Sequence, residues 1–307
     1  MRLFILLCLL MPFSAYSYNS LGHIVVAEVA YKTLSDDKQV MLDDLAETIE
    51  DEGDNANLFR KFKGVSTYAK SAMLADRVAG ERLSDVYERF GAAVPEPLAA
   101  YAGETTESWH QSVPMLKNCT NPDGAGVDVP KAIDLLKAAF QSTDDNNSRA
   151  VTLVLLTGLV ADAHQPIRTL GTDVDRSPEQ CEHDNGGRNY CIVVREEGAD
   201  CPAGKNLRAF WDKKAHGMED PKKIYQYVRN VTKYSRTIEA SELSGDSRSW
   251  IENSRSLANE VYNTPIDEWP SRSYERKAKK FSYERMALSA SNLGQLINDL
   301  QDRPLRQ

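Results

Sequence analysis

The hydrophobic pattern is most distinctive between Val151 and Arg168, VTLVLLTGLVADAHQPIR. A helix lying on a protein surface shows a polar residue every third or fourth position, and this stretch shows almost none before Asp162. It therefore predicts a helix buried on most sides, stopped by Pro166, that carries Asp162 and His164 into the interior. The apolar run of about 13 residues is too short to span a bilayer. A buried aspartate must be paired or must hold a metal, because an unpaired carboxylate is costly to keep ionised there. Taken alone, the simplest account is a core aspartate hydrogen-bonded to helix ends.

Helical periodicity dominates the remaining chain. Helices are predicted over 23–34 and, capped by Ser35-Asp36-Asp37, on to about Glu50. One or two more are predicted within 55–90, and an amphipathic one over 129–141. Further helices follow near 206–216, 221–234, 247–262 and 274–300. Strand signal is confined to 184–200, where a loop and a short β-hairpin are expected. The pattern points to a mainly α, single-domain helical bundle over 18–307, with no Pro/Gly/Ser linker, repeat or low-complexity tract to divide it.

The first 17 residues change the picture of where the protein works. Arg2 precedes an apolar run, Leu3 to Leu10, and Ala15 and Ser17 are small residues at the positions a signal peptidase reads. Residues 1–17 are therefore expected to be a cleavable signal peptide, giving a secreted or periplasmic protein with no stable membrane anchor. Cys8 leaves with the signal, so of five cysteines Cys119, Cys181, Cys191 and Cys201 remain. In an exported chain an even number favours two disulfides, with three pairings open. Cys191 and Cys201 bracket a strand-like run and turn, which favours that pair and leaves Cys119 for Cys181. No CxxC pair suggests zinc binding by thiols. The net charge of −8 speaks against a protein that coats nucleic acid, though not against an enzyme with a locally positive cleft.

Residues with metal-ligand chemistry are scattered: His23 after Gly22, Asp76 in LADR, His110 in SWHQSVP, Asp162 and His164, the polar turn DNGG, and Asp212 in NLRAFWD. Each alone is more simply structural. Together the segments YNSLGHIVVAEVA, LADR, SWHQSVP, LVADAHQPIR, DNGGRN, NLRAFWD and ERMALSASNLGQLIND resemble, in order and over nearly the whole mature chain, the secreted zinc nucleases of the S1/P1 type, relatives of bacterial zinc phospholipase C. The His-Gln-Pro segment followed by Asp-x-Gly-Gly is the most specific part. The resemblance implies a helical bundle in which three zinc ions cleave phosphodiesters of single-stranded DNA and RNA. Such chemistry needs charge neutralisation and a water of lowered pKa, which paired zinc ions supply.

Residue by residue, the resemblance implies a bridging carboxylate at Asp162. It places Asp76 and His110 on one ion, and the free amino terminus of Tyr18 with His23 on another. Asp76 and Asp162 are thereby the candidate catalytic carboxylates. The family has Trp where this chain has Tyr18, but the ligand there is backbone. Asp212 belongs to a third, more separate ion. Gly158, Arg168 and Arg208 stand where the family has ligating histidines. Arginine offers only donors and stays protonated, so the third ion is expected to be absent, leaving one or two zinc ions rather than three. Two guanidinium groups with one aspartate carry the same +1 charge as one zinc with two imidazoles and an aspartate. Arg208 and Asp212 are spaced to pair on a helix, and Arg168 could offer its fork to a substrate phosphate; a structural salt bridge filling a vacated site is the level alternative. His164 matches a residue that supports rather than ligates. His183 and His216 match no ligand position and are expected on the surface.

Two function classes follow. The first is a secreted metal-dependent phosphodiesterase acting on single-stranded nucleic acid or nucleotides, with a phospholipid-directed variant. The second is a pseudoenzyme that keeps the fold and binds nucleotide, phosphate or a protein partner. The retained Asp76, His110, Asp162 and His23 favour the first; the three replaced ligands favour the second. No protein partner can be read from the sequence.

Overall fold

The computed structural model describes residues 20–50, 60–117, 119, 126–174, 181–196 and 199–300, with the Glu50 side chain left out. Its helices in chain order are α1 (Ser20–Tyr31), α2 (Asp36–Glu50), α3 (Thr67–Ser71), α4 (Leu74–Val78), α5 (Leu83–Arg89), α6 (Val129–Ser142), α7 (Asn146–Ala163), α8 (Ile224–Ser235), α9 (Ser247–Arg255), α10 (Ala258–Val261) and α11 (Arg272–Asp299). Helix α7 is the apolar stretch, and every residue from Ser148 to Ala163 is buried. It packs against α6, α2, α4 and α11, so its nearly continuous apolar surface has a partner on each side. Helix α1, buried from Leu21 to Ala30, lies against α11, α3 and α8.

Local chemistry sets the helix ends. The Asp145 carboxylate accepts from Ser148 N at 2.8 Å to start α7, and Ser271 Oγ accepts from Tyr274 N at 3.2 Å to start α11. The two threonines of α7 remain satisfied in the core. Thr152 and Thr157 donate back to the carbonyls of Ser148 and Leu153 at 2.6 and 2.8 Å. Each hydroxyl also lies 2.7 Å from a tyrosine hydroxyl, Tyr87 and Tyr68 respectively. Past its end, Arg285 of α11 donates to His164 O at 3.0 Å and to Ser254 Oγ at 2.8 Å, tying α7, α9 and α11 together.

Several boundaries differ from the sequence expectation. The helix predicted over 247–262 is broken into α9 and α10, and the 55–90 region, where described, holds three short helices. Near 206–216 a short α-turn, Leu207–Ala209, runs into a π-helical turn, Phe210–Lys214. The β-hairpin expected within 184–200 does not form among the described residues. Instead Ile192 N donates to Lys205 O at 2.9 Å and Leu207 N to Tyr190 O at 2.8 Å, so the Cys191 segment pairs with 205–207 through a single isolated bridge. Asp267 N takes the Cys191 carbonyl at 2.8 Å.

The cysteines pair as Cys119–Cys181 and Cys191–Cys201. His183 and His216, expected on the surface, are buried at 1% and 0% exposure. Each uses both ring nitrogens on backbone: His183 with Pro114 O and Asn185 N, both at 2.8 Å, and His216 with Asp212 O and Met218 N at 2.8 and 3.0 Å. A neutral imidazole that caps main-chain groups is as good an interior residue as an amide. Residues 1–19, with the expected signal peptide and Tyr18, lie outside the described residues. No helix among those described is long and apolar enough to cross a membrane.

Burial pushes His164 down to about 3 and His216 down to about 4, so the fold holds both neutral while an unfolded chain protonates them near pH 6.5. Stability is therefore fully present above pH 6.5 and is lost as pH falls from there toward 4. Each histidine contributes a loss of about 1.4 kcal/mol per pH unit in that window. Urea unfolding at pH 6.5 and 5.5 should show it, and replacing His216 with Asn should flatten the dependence.

Candidate metal centre

At the end of α7 the Asp162 carboxylate is fully buried. His110 Nδ1 lies 2.6 Å from its Oδ2, His23 Nε2 lies 3.3 Å from its Oδ1, and Arg168 Nε lies 3.5 Å from Oδ1. Burial alone would raise the Asp162 carboxyl. Arg168 and the hydrogen bonds from His110 and His23 more than offset it and hold the group well below the carboxylate range. Asp76, delivered by α4, stands 3.5 Å from His23 Nδ1 and 4.0 Å from His110 Nδ1. Its pKa is raised by burial and by the neighbouring Asp162 charge, against the pull of His23. Burial would lower His23, but Asp76 and Asp162 on its two sides raise it.

Four distant segments thus meet: α1, α4, the 3-10 turn Glu107–His110 and the end of α7. Donor atoms of His23, Asp76 and Asp162 all lie within 4.8 Å of one another, and all three residues are buried. Asp76 Oδ2 and His110 Nε2 are buried without a hydrogen-bond partner. Imidazole nitrogens and carboxylate oxygens gathered in this way, with unused lone pairs, are the donor set zinc takes. The residues fit the ion. The other His/Cys/Asp/Glu group, Cys119, Asp173 and Cys181, has its thiols consumed in a disulfide.

Gly158, one turn before Asp162, does more than omit a ligand. A Cβ built there would stand 2.4 Å from Ala75 Cβ. Helix α4 therefore rests directly on the α7 backbone, and this close approach sets how far Asp76 reaches toward His23. Any side chain at 158, histidine included, requires α4 to move.

Around Asp212 the donors are of a different kind. Gln165 Nε2 donates to its Oδ1 at 3.0 Å, and Arg168 Nη2 and Arg208 Nε lie 3.7 and 3.5 Å from its two oxygens. Asp212 belongs to no cluster of three or more His, Cys, Asp or Glu donors among the described residues. Burial raises Asp212 and lowers Arg208, and the proximity of Arg168 pushes Arg208 lower still. Two cations share one carboxylate. Arg168 Nε and Nη1 are spent on Gln165 Oε1 and His110 O at 2.8 and 3.1 Å. Arg208 donates to Gly186 O at 3.3 Å and has no exposed side-chain area. His164 stands apart from the cluster: it donates to Val160 O at 2.8 Å and accepts from Asn292 at 2.9 Å.

A cavity of about 30 Å³ opens onto this centre, lined by Asp76, Ala79, Gly80, Glu107, His110, Arg168 and Arg188. Gln165, Glu107 and Arg188 escape a sequence reading that seeks metal ligands. The only hint of Arg188 is its position directly after the Gly186-Gly187 turn. That turn is fixed by Asp184, whose carboxylate accepts from Gly186 N, Gly187 N and Tyr262 OH at 3.3, 2.9 and 2.6 Å. Gly187 has φ +81°, and a Cβ there would meet Arg208 N at 2.9 Å, so only glycine lets the loop sit on Arg208.

An all-helical bundle with a buried histidine–carboxylate centre below an arginine-flanked cavity describes a class. The S1/P1 Nuclease family model matches residues 18–302, and the chain belongs to that family. No curated protein matches it significantly.

The Gly158–Ala75 approach gives a direct test. Gly158→Ala should cost about 1–3 kcal/mol of stability through overpacking, and Ala75→Gly in the same chain should recover most of it. A double-mutant cycle on thermal unfolding measures the coupling; strict additivity would show that α4 does not rest on this glycine.

Proposed function

We propose that the protein is a secreted, zinc-dependent phosphodiesterase that hydrolyses single-stranded nucleic acid with fewer than three metal ions. The convergence of His23, Asp76, His110 and Asp162 on one buried point beneath a cavity carries this reading. Family membership supports nuclease chemistry. The two disulfides are those an oxidising compartment would maintain, which agrees with export behind a signal peptide at 1–17. Processing before Tyr18 would add its free amine to the His23 side of the centre.

Zinc held by His23, Asp76, His110 and Asp162 would supply a water of lowered pKa and neutralise phosphate charge. The chain contributes the rest. Asp162 anchors His23 and His110 in their orientations and stays ionised, and Asp76, next to the cavity, is placed to accept a proton from the attacking water. Arg168 bridges this centre to Asp212 and lines the cavity. Arg208 supports the 184–187 turn from below rather than reaching substrate.

A second reading is favoured by one observation. Guanidinium groups surround Asp212; in this reading the scaffold is a pseudoenzyme that binds nucleotide and releases it unchanged. Metal analysis and hydrolysis assays on purified mature protein separate the two. We expect one or two zinc ions per chain, none at Asp212, and single-stranded DNA cleavage reduced at least 100-fold in Asp162→Asn together with its zinc. Three bound ions, or anomalous scattering at Asp212, would refute the reading. Amino-terminal sequencing should give Tyr18; a start several residues away would remove the terminal amine from the centre.

A further inference from the structure

We propose that Arg188 is the residue that captures the substrate phosphate at the mouth of the cavity, beside Arg168. The proposal rests on the phosphodiesterase reading for its substrate class and on separate geometry for the site.

Three arginines approach the centre, and their free hydrogen-bonding capacity differs. Arg208 is fully buried beneath the 184–187 turn and does not line the cavity. Arg168 is 2% exposed and has spent Nε and Nη1 on Gln165 and His110, while its Nη2 is buried and faces Asp212 Oδ1 at 3.7 Å. Arg188 lines the same cavity as Arg168, Asp76 and His110, and its side chain is 25% exposed. It is held on one side only, by Nη1 donating to Gln111 Oε1 at 3.2 Å. Its Nη2 faces Glu107 Oε1 at 4.0 Å, beyond hydrogen-bond reach, and that glutamate side chain is 70% exposed.

The electrostatics agree with the geometry. Burial and the nearby Arg168 charge both lower Arg188, against the pull of Glu107 and Asp212. Arg168 has Asp162 and Asp212 as its buried counter-ions, whereas the nearest carboxylate of Arg188 is the exposed Glu107. An oxyanion that accepts from Arg188 supplies the close partner it lacks. At about 30 Å³ the cavity admits an oxygen atom the size of water but no whole phosphate group. A phosphate ester would therefore insert one oxygen beside Asp76 and His110 and leave its remaining atoms at the rim, against Arg188. Glu107 serves as the resting counter-ion, displaced when phosphate arrives. The Asp184-organised turn, braced from beneath by Arg208, positions Arg188 for this contact.

Isothermal titration of inorganic phosphate into chelator-treated and zinc-loaded protein tests the proposal without relying on turnover. Arg188→Gln should weaken phosphate binding about 10- to 100-fold in both forms, with the melting temperature of the ligand-free protein unchanged. Glu107→Gln should tighten binding about 2- to 5-fold, as a competing carboxylate is removed. Arg188→Lys should recover part of the affinity, since charge returns without the planar fork. Phosphate affinity unaltered in Arg188→Gln would overturn the proposal, as would a lowered melting temperature with intact binding, or phosphate binding seen solely in the zinc-loaded form and indifferent to Arg188. The outcome is separable from the fate of the phosphodiesterase reading. Arg188-dependent phosphate binding in a protein that cleaves no nucleic acid would retain this site and reject the hydrolase. Active protein whose KM ignores Arg188→Gln would retain the hydrolase and reject this site.

Discussion

A carboxylate at the end of an apolar helix is the constraint around which this molecule is arranged. Asp162 has no exposure, and an isolated charge in such a place is untenable. The fold answers by bringing His23, His110 and Arg168 to its two oxygens. Those partners come from α1, from the turn before Gln111 and from the segment after Pro166, so the electrostatic need of one residue fixes how distant parts of the chain pack. The same convergence gathers lone pairs that could hold a metal ion. Stability of the buried charge and capacity for chemistry therefore rest on one set of contacts.

Next to that centre, arginine side chains balance a second buried carboxylate. Asp212 is held by Gln165, Arg168 and Arg208, and Arg168 spans from Asp212 to Asp162. A guanidinium is a poor substitute for a Lewis acid because it polarises through hydrogen bonds alone. It is a good substitute for a counter-charge and needs no loading. The arrangement keeps positive charge beside the cavity. At Gly158 the Ala75 methyl group of α4 comes down onto α7, in the helix that carries Asp76 to His23.

The rim is shaped by a loop whose conformation is set locally and whose position is set by tertiary contact. Asp184 folds the turn around its own carboxylate, and Tyr262 donates to the same group from the far end of the chain. Arg208 supports the turn through Gly186 and Gly187. Placement of Arg188 thus depends on residues that do not touch the cavity.

By itself the sequence determined the helical class and the buried character of α7, favoured the two cysteine pairs, and named His23, Asp76 and Asp162, which the fold brings together. Periodicity, an even set of cysteines in a chain expected to be exported, and family-specific motifs are carried locally, so they can be read without coordinates. It misplaced His183 and His216, because a lone histidine looks like a surface residue until the backbone groups it caps are known. It expected a hairpin at 184–200 because strand propensity does not say which neighbour a strand will find, and here 205–207 took the bonds. Tertiary structure alone decided three further matters. Gly158 lies against Ala75, a contact between helices more than eighty residues apart. Arg168 is largely spent on internal partners. Arg188, which sequence spacing passed over, reaches the cavity because the turn bearing it is braced by Arg208. Each of these depends on which atoms meet across the fold, and hydrophobic patterning constrains faces of helices rather than individual contacts between them.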